Sequence, residues 1–171
     1  MMTAEEQNLC LGMVKRLNGI QRVSKEEFLR RFPSAVEDGR LALHLLEESY
    51  RAQDGRDLSC ALMVGFMFGF RHEHLDILCL LVDADWHNSH EDVVGALDKL
   101  REPEAADALF RATQWVPEYL KFDENRALAV KAIWALWKLQ SPEAKARLEQ
   151  IAASETPILR ETATMLLNKA T

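Results

Sequence analysis

Ala96-Leu97-Asp98-Lys99-Leu100-Arg101-Glu102-Pro103-Glu104-Ala105 recurs 39 residues later as Ala135-Leu136-Trp137-Lys138-Leu139-Gln140-Ser141-Pro142-Glu143-Ala144, with seven of the ten positions identical. Each copy reads as the end of one helix, a short turn and the start of a second helix. Pro stands at the first position of that second helix, where its missing N–H costs nothing. A period of this length built only from helix means helix pairs stacked side by side. Such stacks present long concave surfaces, which bind macromolecules more often than they carry chemistry.

A weaker third copy follows: Ala132, Leu136 and Lys138 match Ala163, Leu167 and Lys169 at a shift of 31. The two shifts differ by eight residues, and the surplus falls around residues 115–122, an insertion that includes Pro117. Shifts of roughly 30–47 residues suit two-helix repeats of the HEAT and armadillo type. The stretch from Glu124 to Ala144 resembles the HEAT-like repeat family, including its bacterial lyase-type variant. There, an Ala-rich helix ends in Ala-Leu-x-x-Leu and a Pro-Glu-Ala turn leads into the next helix. The resemblance covers residues 89–170 and is poor over residues 1–70. It implies an all-α fold, a HEAT-like α-solenoid of stacked antiparallel helix pairs. The expected organisation is one domain over 1–171, with divergent N-terminal helices in 1–88 and HEAT-like repeats in 89–171.

The rest of the chain is read as helix too. Residues 3–18 form an amphipathic segment with Leu9, Met13, Val14 and Leu17 on one face. Ser24-Lys25-Glu26-Glu27 is a capping box that opens a short helix ending before Pro33. A Leu-rich helix is expected over 35–53. Asp57 is expected to cap the next helix, 58–70. That one is apolar nearly all round, so it should be buried on more than one side. Its Gly65 and Gly69 are expected to permit close helix approach. Further helices are expected over 72–84, 91–101 (capped by Ser89, with Asp92 at the box position), 103–113, 123–140, 142–154 and 157–170. No segment alternates with period two for long enough to be a strand.

Composition narrows the function. The 171 residues are 48% hydrophobic with only 7 Gly and 5 Pro, enough for a compact core and little loop. The net charge of −6 argues against nucleic acid as partner, since phosphate contacts need clustered Lys and Arg. Cys10, Cys60 and Cys79 form no disulfide framework and read as reduced core thiols, so a cytoplasmic location is expected. Met1-Met2-Thr3-Ala4-Glu5-Glu6 has neither a basic start nor an apolar run and reads as no signal peptide. The uncharged run 58–70 is too short to cross a bilayer, so no membrane partner is expected.

The strongest charge feature is a span with one sign. From His72 through Asp98 there is no Lys and no Arg, while Glu73, Asp76, Asp83, Asp85, Glu91, Asp92 and Asp98 all fall there. Lys15, Arg16, Arg22, Lys25, Arg30, Arg31, Arg40, Arg51, Arg56 and Arg71 crowd the earlier chain. A split of this kind gives a directional field. Against that stands the plainer reading, in which some of these acids, Glu91 and Asp92 above all, simply favour a helix N-terminus. Asp83-Ala84-Asp85-Trp86-His87-Asn88 is an acidic loop containing a Trp. That Trp either anchors an interface or folds back onto the core. Trp134, beside Lys131 and Lys138, reads either as a surface contact or as filling between repeats, with core preferred.

Histidines cluster as well, at His72, His74, His87 and His90. His72-Glu73 and His90-Glu91 are His-Glu pairs, and HEAT-like proteins include a hydroxylase whose di-iron centre uses such pairs at repeat positions. Here they stand eighteen residues apart, which is not a repeat shift, so no metal and no cofactor are expected. The chain has no Gly-rich phosphate loop, no Cys-x-x-Cys and no Gly-x-Ser-x-Gly elbow, so no catalytic residue is assigned.

A small, acidic, all-helical chain in which the run Asp85 to Asp92 precedes such repeats resembles HEAT-like bacterial immunity proteins of polymorphic and contact-dependent toxin systems. That resemblance implies a non-enzymatic protein-binding module that occludes the basic active-site surface of a toxin domain. Its expected contact set is Glu73, Asp76, Asp83, Asp85, Trp86, His87, His90, Glu91 and Asp92. The competing readings are a HEAT-like adaptor or regulatory subunit, and a metal-dependent enzyme using the His-Glu pairs.

Overall fold

The computed structural model describes residues 2–13, 23–32 and 39–169. Among these residues it is all helical, with ten α-helices and no strand. The chain divides into two compact units, Met1–His74 and Leu75–Thr171.

The first unit holds α1 (Ala4–Gly12), α2 (Lys25–Arg31), α3 (Arg40–Ala52) and α4 (Gly55–Phe68), followed by a 3₁₀ turn at His72–His74. Thr3 and Glu6 close a reciprocal capping box on α1, and the Ser24 hydroxyl accepts from Glu27 N–H to open α2. The remainder of the helices expected over 3–18 and 35–53, residues 14–18 and 35–38, lies outside the described residues. α4 packs against both α3 and α1. That explains its apolar circumference, with Leu58, Ala61, Leu62 and Val64 nearly or wholly inaccessible.

Two local expectations for α4 are corrected. Asp54, not Asp57, is the cap: its side chain accepts from the N–H groups of Arg56 and Asp57. Asp57 instead turns back to α1, accepting from the Met2 N–H at 2.9 Å and from Gln7 Nε2 at 2.6 Å. The close approach at Gly65 is also not to another helix. A Cβ there would lie 2.2 Å from the Phe70 ring, which folds back from the following turn. Gly69 has φ +99°, a conformation in which glycine is strongly favoured.

The second unit holds α5 (Leu75–Leu81), α6 (His90–Leu100), α7 (Ala106–Gln114, led by a 3₁₀ turn at Pro103–Ala105), α8 (Ala127–Leu139), α9 (Pro142–Ala152) and α10 (Pro157–Lys169). α6 packs on α8 and α8 on α10, while α7 packs on both α8 and α9. Small residues at the contacts let the axes come close: Ala96, Ala105, Ala112, Ala132, Ala135, Ala144 and Ala163 are all essentially inaccessible.

The two copies of the sequence repeat share their local structure at the helix stop. α6 ends in Arg101 at φ 58°, ψ 27°, and α8 ends in Gln140 at φ 54°, ψ 32°. Both are left-handed helix stops, and a Pro-Glu-Ala turn follows each one. The two stops lie side by side, since Arg101 Nη1 donates to the Lys138 carbonyl at 3.3 Å. Side chains also tie α6 to α8, α7 to α9 and α8 to α10. Lys138 Nζ lies 2.6 Å from Asp98 Oδ2, Arg147 Nε 2.8 Å from Asp107 Oδ1, and the Lys169 amine sits over the Trp134 ring.

The difference between the two shifts has a physical place. The connection from α7 to α8 has twelve residues (115–126), and that from α9 to α10 has four (153–156). α8 therefore starts later than the expected residue 123. Arg126, left-handed at φ 50°, holds the N-cap position, and Asp123 braces the turn before it, Oδ2 accepting from Ala127 N–H at 2.7 Å and Oδ1 from Asn125 N–H at 3.1 Å. All three cysteines are free thiols, with Cys10 and Cys60 buried. Cys79 is half-buried, and desolvation pushes its thiol up to about 11.

Candidate functional site

The acidic loop joins α5 to α6 in the second unit, and its shape is set by two histidines. The His87 and His90 rings stack with centroids 4.1 Å apart. Both are buried, at 3% and 0% exposure. His87 Nε2 lies 2.9 Å from the Leu81 carbonyl, which can only accept, so Nε2 carries the proton. Its Nδ1 then accepts from Ser89 N–H at 3.1 Å. His90 repeats the scheme, with Nε2 donating to the Ala84 carbonyl at 2.8 Å and Nδ1 accepting from the Tyr119 hydroxyl at 3.1 Å. The rings thus stitch the end of α5 to the start of α6, and all four ring nitrogens are engaged.

Both rings are held neutral. Desolvation, with the neighbouring His90 adding to it, pulls His87 down to about 4. Desolvation also lowers His90. A proton on His87 Nδ1 would oppose the Ser89 N–H, donor against donor. The expectation that His87 and His90 lie on a partner-facing surface is therefore corrected: they are internal supports of the loop. Their companions are aromatic. Trp86 sits edge-on to His87 at 4.9 Å and is half-buried. Trp115 meets His90 at 4.8 Å, and Tyr119 stacks beside it at 5.6 Å. Trp115 and Tyr119 both belong to the long α7–α8 connection, so the residues that interrupt the repeat brace the acidic loop.

The carboxylates separate into two groups. Asp83 is gripped by Arg111, whose Nε lies 2.8 Å from Oδ2, and this bond raises the guanidinium still further. Asp98 receives Lys138 and approaches Arg101 Nε at 3.5 Å. The bases missing from the sequence span are returned to it by later helices. Asp76, Asp85, Glu91 and Asp92 stay exposed and carry no ion pair among the described residues. Glu91 and Asp92 occupy the first turn of α6, where the unpaired N–H groups favour negative charge. They also act on the Tyr119 phenol, which burial first and these carboxylates next push upward. Ser89 holds the N-cap position through its carbonyl, which accepts from Asp92 and Val93. Asp76 stands in the first turn of α5, at the far end of that helix from the loop. Glu73 is exposed in the 3₁₀ turn that closes the first unit.

The sequence reading missed two residues that matter here. Arg111 lies 28 positions from Asp83 and has no local signal. Phe122 is 81% exposed in the α7–α8 connection, and the signal that could have found it was the insertion itself. Comparison with protein-family models, with curated proteins and with solved structures finds no match to this chain.

Proposed function

We propose that this chain is a non-enzymatic protein-binding module, a bacterial immunity protein that neutralises a cognate toxin by occluding its basic active-site surface. The observation that carries this reading is that Asp85, Glu91 and Asp92 are exposed and without an ion pair among the described residues, all within eight residues of chain (85–92) that also hold the half-buried Trp86. Acids left over after Asp83 and Asp98 have found internal cations are available to an Arg- or Lys-rich partner. Complementary charge speeds encounter with such a partner and selects against others. The scaffold reading is a short HEAT-like stack formed by α6 through α10. It is supported by the like-on-like packing of α6, α8 and α10 and by the matched left-handed stops at Arg101 and Gln140.

The test is protection. The protein encoded beside this one is co-expressed with it in a sensitive host, with and without Asp85→Asn, Glu91→Gln and Asp92→Asn together. The expected result is a toxic neighbour whose effect the wild type blocks and the triple variant does not. A neighbour without toxicity, or full protection by the triple variant, would overturn the reading.

A further inference from the structure

We infer that Phe122, presented by the α7–α8 connection, is the apolar anchor of this acidic surface, and that the partner it fits is a basic protein face carrying an apolar patch. The inference rests on the protein-binding reading above and deepens it.

The connection is longer than its task. Four residues suffice to join α9 to α10, whereas twelve are spent between α7 and α8. Surplus length in a compact domain commonly carries function. The extra residues are also held in place at both ends. Leu120 N–H donates to the Pro117 carbonyl at 2.9 Å and Asp123 N–H to the Leu120 carbonyl at 2.9 Å. Arg126 Nη2 reaches the Thr113 carbonyl at 3.1 Å, and the Asp123 side chain braces the turn into α8. Trp115 and Leu120 face a recess shared with Leu128 and Ala129. Phe122 is the exception among these apolar side chains, since it is turned outward in a fixed frame. A backbone ordered in advance lowers what it costs to present an anchor at an interface.

Its surroundings state the partner's charge. The Tyr119 hydroxyl contact with His90 sets this connection against the start of α6, whose first turn bears Glu91 and Asp92. On the connection itself Glu118 and Glu124 are exposed, and Glu118 pairs with Lys121. Lys131 is occupied on the Glu91 carbonyl at 2.7 Å. With Glu118 taken by Lys121, the exposed charge left on this connection and on the facing first turn of α6 is that of Glu124, Glu91 and Asp92, which fits an apolar patch bordered by Arg or Lys.

The experiment uses two synthetic basic helical peptides as probes, one of Arg, Leu and Ala and one of Arg and Ala only, titrated into the full chain. Phe122 is exposed, so Phe122→Ala leaves the core intact. We expect Phe122→Ala to weaken the Leu-containing peptide about 30-fold and to leave the Leu-free peptide unchanged. The triple acid variant should weaken both and flatten the salt dependence. If the triple variant weakens binding and Phe122→Ala does not, the anchor is wrong and the acidic-surface reading stands. If neither change matters, both fail. If sedimentation shows a wild-type dimer that Phe122→Ala abolishes, the residue serves a second copy of this chain and the inference is overturned.

Discussion

Arg111 of α7 holds Asp83 with Nε at 2.8 Å and Nη2 at 3.3 Å, and the same Nη2 donates to the Cys79 carbonyl at 2.6 Å. One guanidinium thereby closes the C-terminal end of α5 and neutralises the first acid of the loop. Asp83 is thus an internal partner, while Asp85, two residues on, has no ion pair among the described residues. Neighbouring carboxylates in the sequence have opposite roles because a helix nearly thirty residues away reaches only one of them.

The first prediction separates those roles. Arg111→Ala should lower stability by about 1 kcal/mol, because both partners are partly exposed and such pairs are worth little more. Asp83→Asn should cost less, since the amide oxygen still accepts. Neither change should slow association with a basic partner, whereas Asp85→Asn should. Urea midpoints and stopped-flow association rates read the two effects. Equal slowing by Asp83→Asn and Asp85→Asn would show that the Arg111 pair does not hold in solution.

The second prediction concerns acid. The His87 pKa falls from 6.5 to about 4 on folding, so the unfolded chain binds the proton more readily between those values. Stability is full above about pH 6.5 and is lost as pH falls toward 4, by on the order of 3 kcal/mol for a shift of this size. His90, also lowered, adds in the same direction. Equilibrium unfolding from pH 7 to pH 4.5 should show this slope. His87→Gln, which cannot titrate, should be less stable at pH 7 and flatter toward acid. An unchanged slope in that variant would place the acid sensitivity elsewhere.

The third prediction uses the repeat. Gln140 stops α8 at φ 54°, a region that costs a side chain energy and suits glycine. Gln140→Gly should stabilise the protein by about 0.5–1 kcal/mol. The equivalent Arg101→Gly should gain less, because Gln140 gives up one side-chain bond, to the Trp137 carbonyl, while Arg101 gives up two, to the Asp98 and Lys138 carbonyls. Thermal midpoints of the two variants give the comparison. A gain in Arg101→Gly equal to that in Gln140→Gly would mean the second bond, to the Lys138 carbonyl, contributes nothing.

What could be read from the chain followed the range of the interactions. The Pro-Glu-Ala turns, the Ser24 cap and the eight-residue insertion are local or periodic, and they stand in the structure where the sequence put them. Asp57 was misread because two carboxylates three residues apart could both cap α4. The choice between them is made by α1, which supplies Met2 and Gln7 to Asp57. The acidic span was overread for the same reason: its counter-charges come from Arg111 and Lys138, both beyond it. His87 and His90 looked like surface groups beside a helix start, and only Trp115 and Tyr119, brought by the insertion, show them to be enclosed.

The fourth prediction divides binding from folding at Trp86. Its ring lies edge-on to His87 and is only half-buried, so it belongs partly to the loop's support and partly to its surface. Trp86→Ala should therefore cost stability, about 1–2 kcal/mol, as well as affinity. Trp86→Phe keeps an aromatic edge on His87 but loses the indole's outer reach, so it should recover most of the stability and less of the affinity. With a basic partner in hand, Trp86 variants should act mainly on dissociation. Asp85→Asn should act mainly on association, and its effect should fade at high salt, where exposed charges are screened. Replacing both Arg30 and Arg31, which pair with Glu27 and Glu5 in the first unit, is the control and should leave affinity nearly intact. If that double change abolishes binding while Asp85 and Trp86 can be replaced freely, the partner sits on the first unit and the acidic loop is not its site.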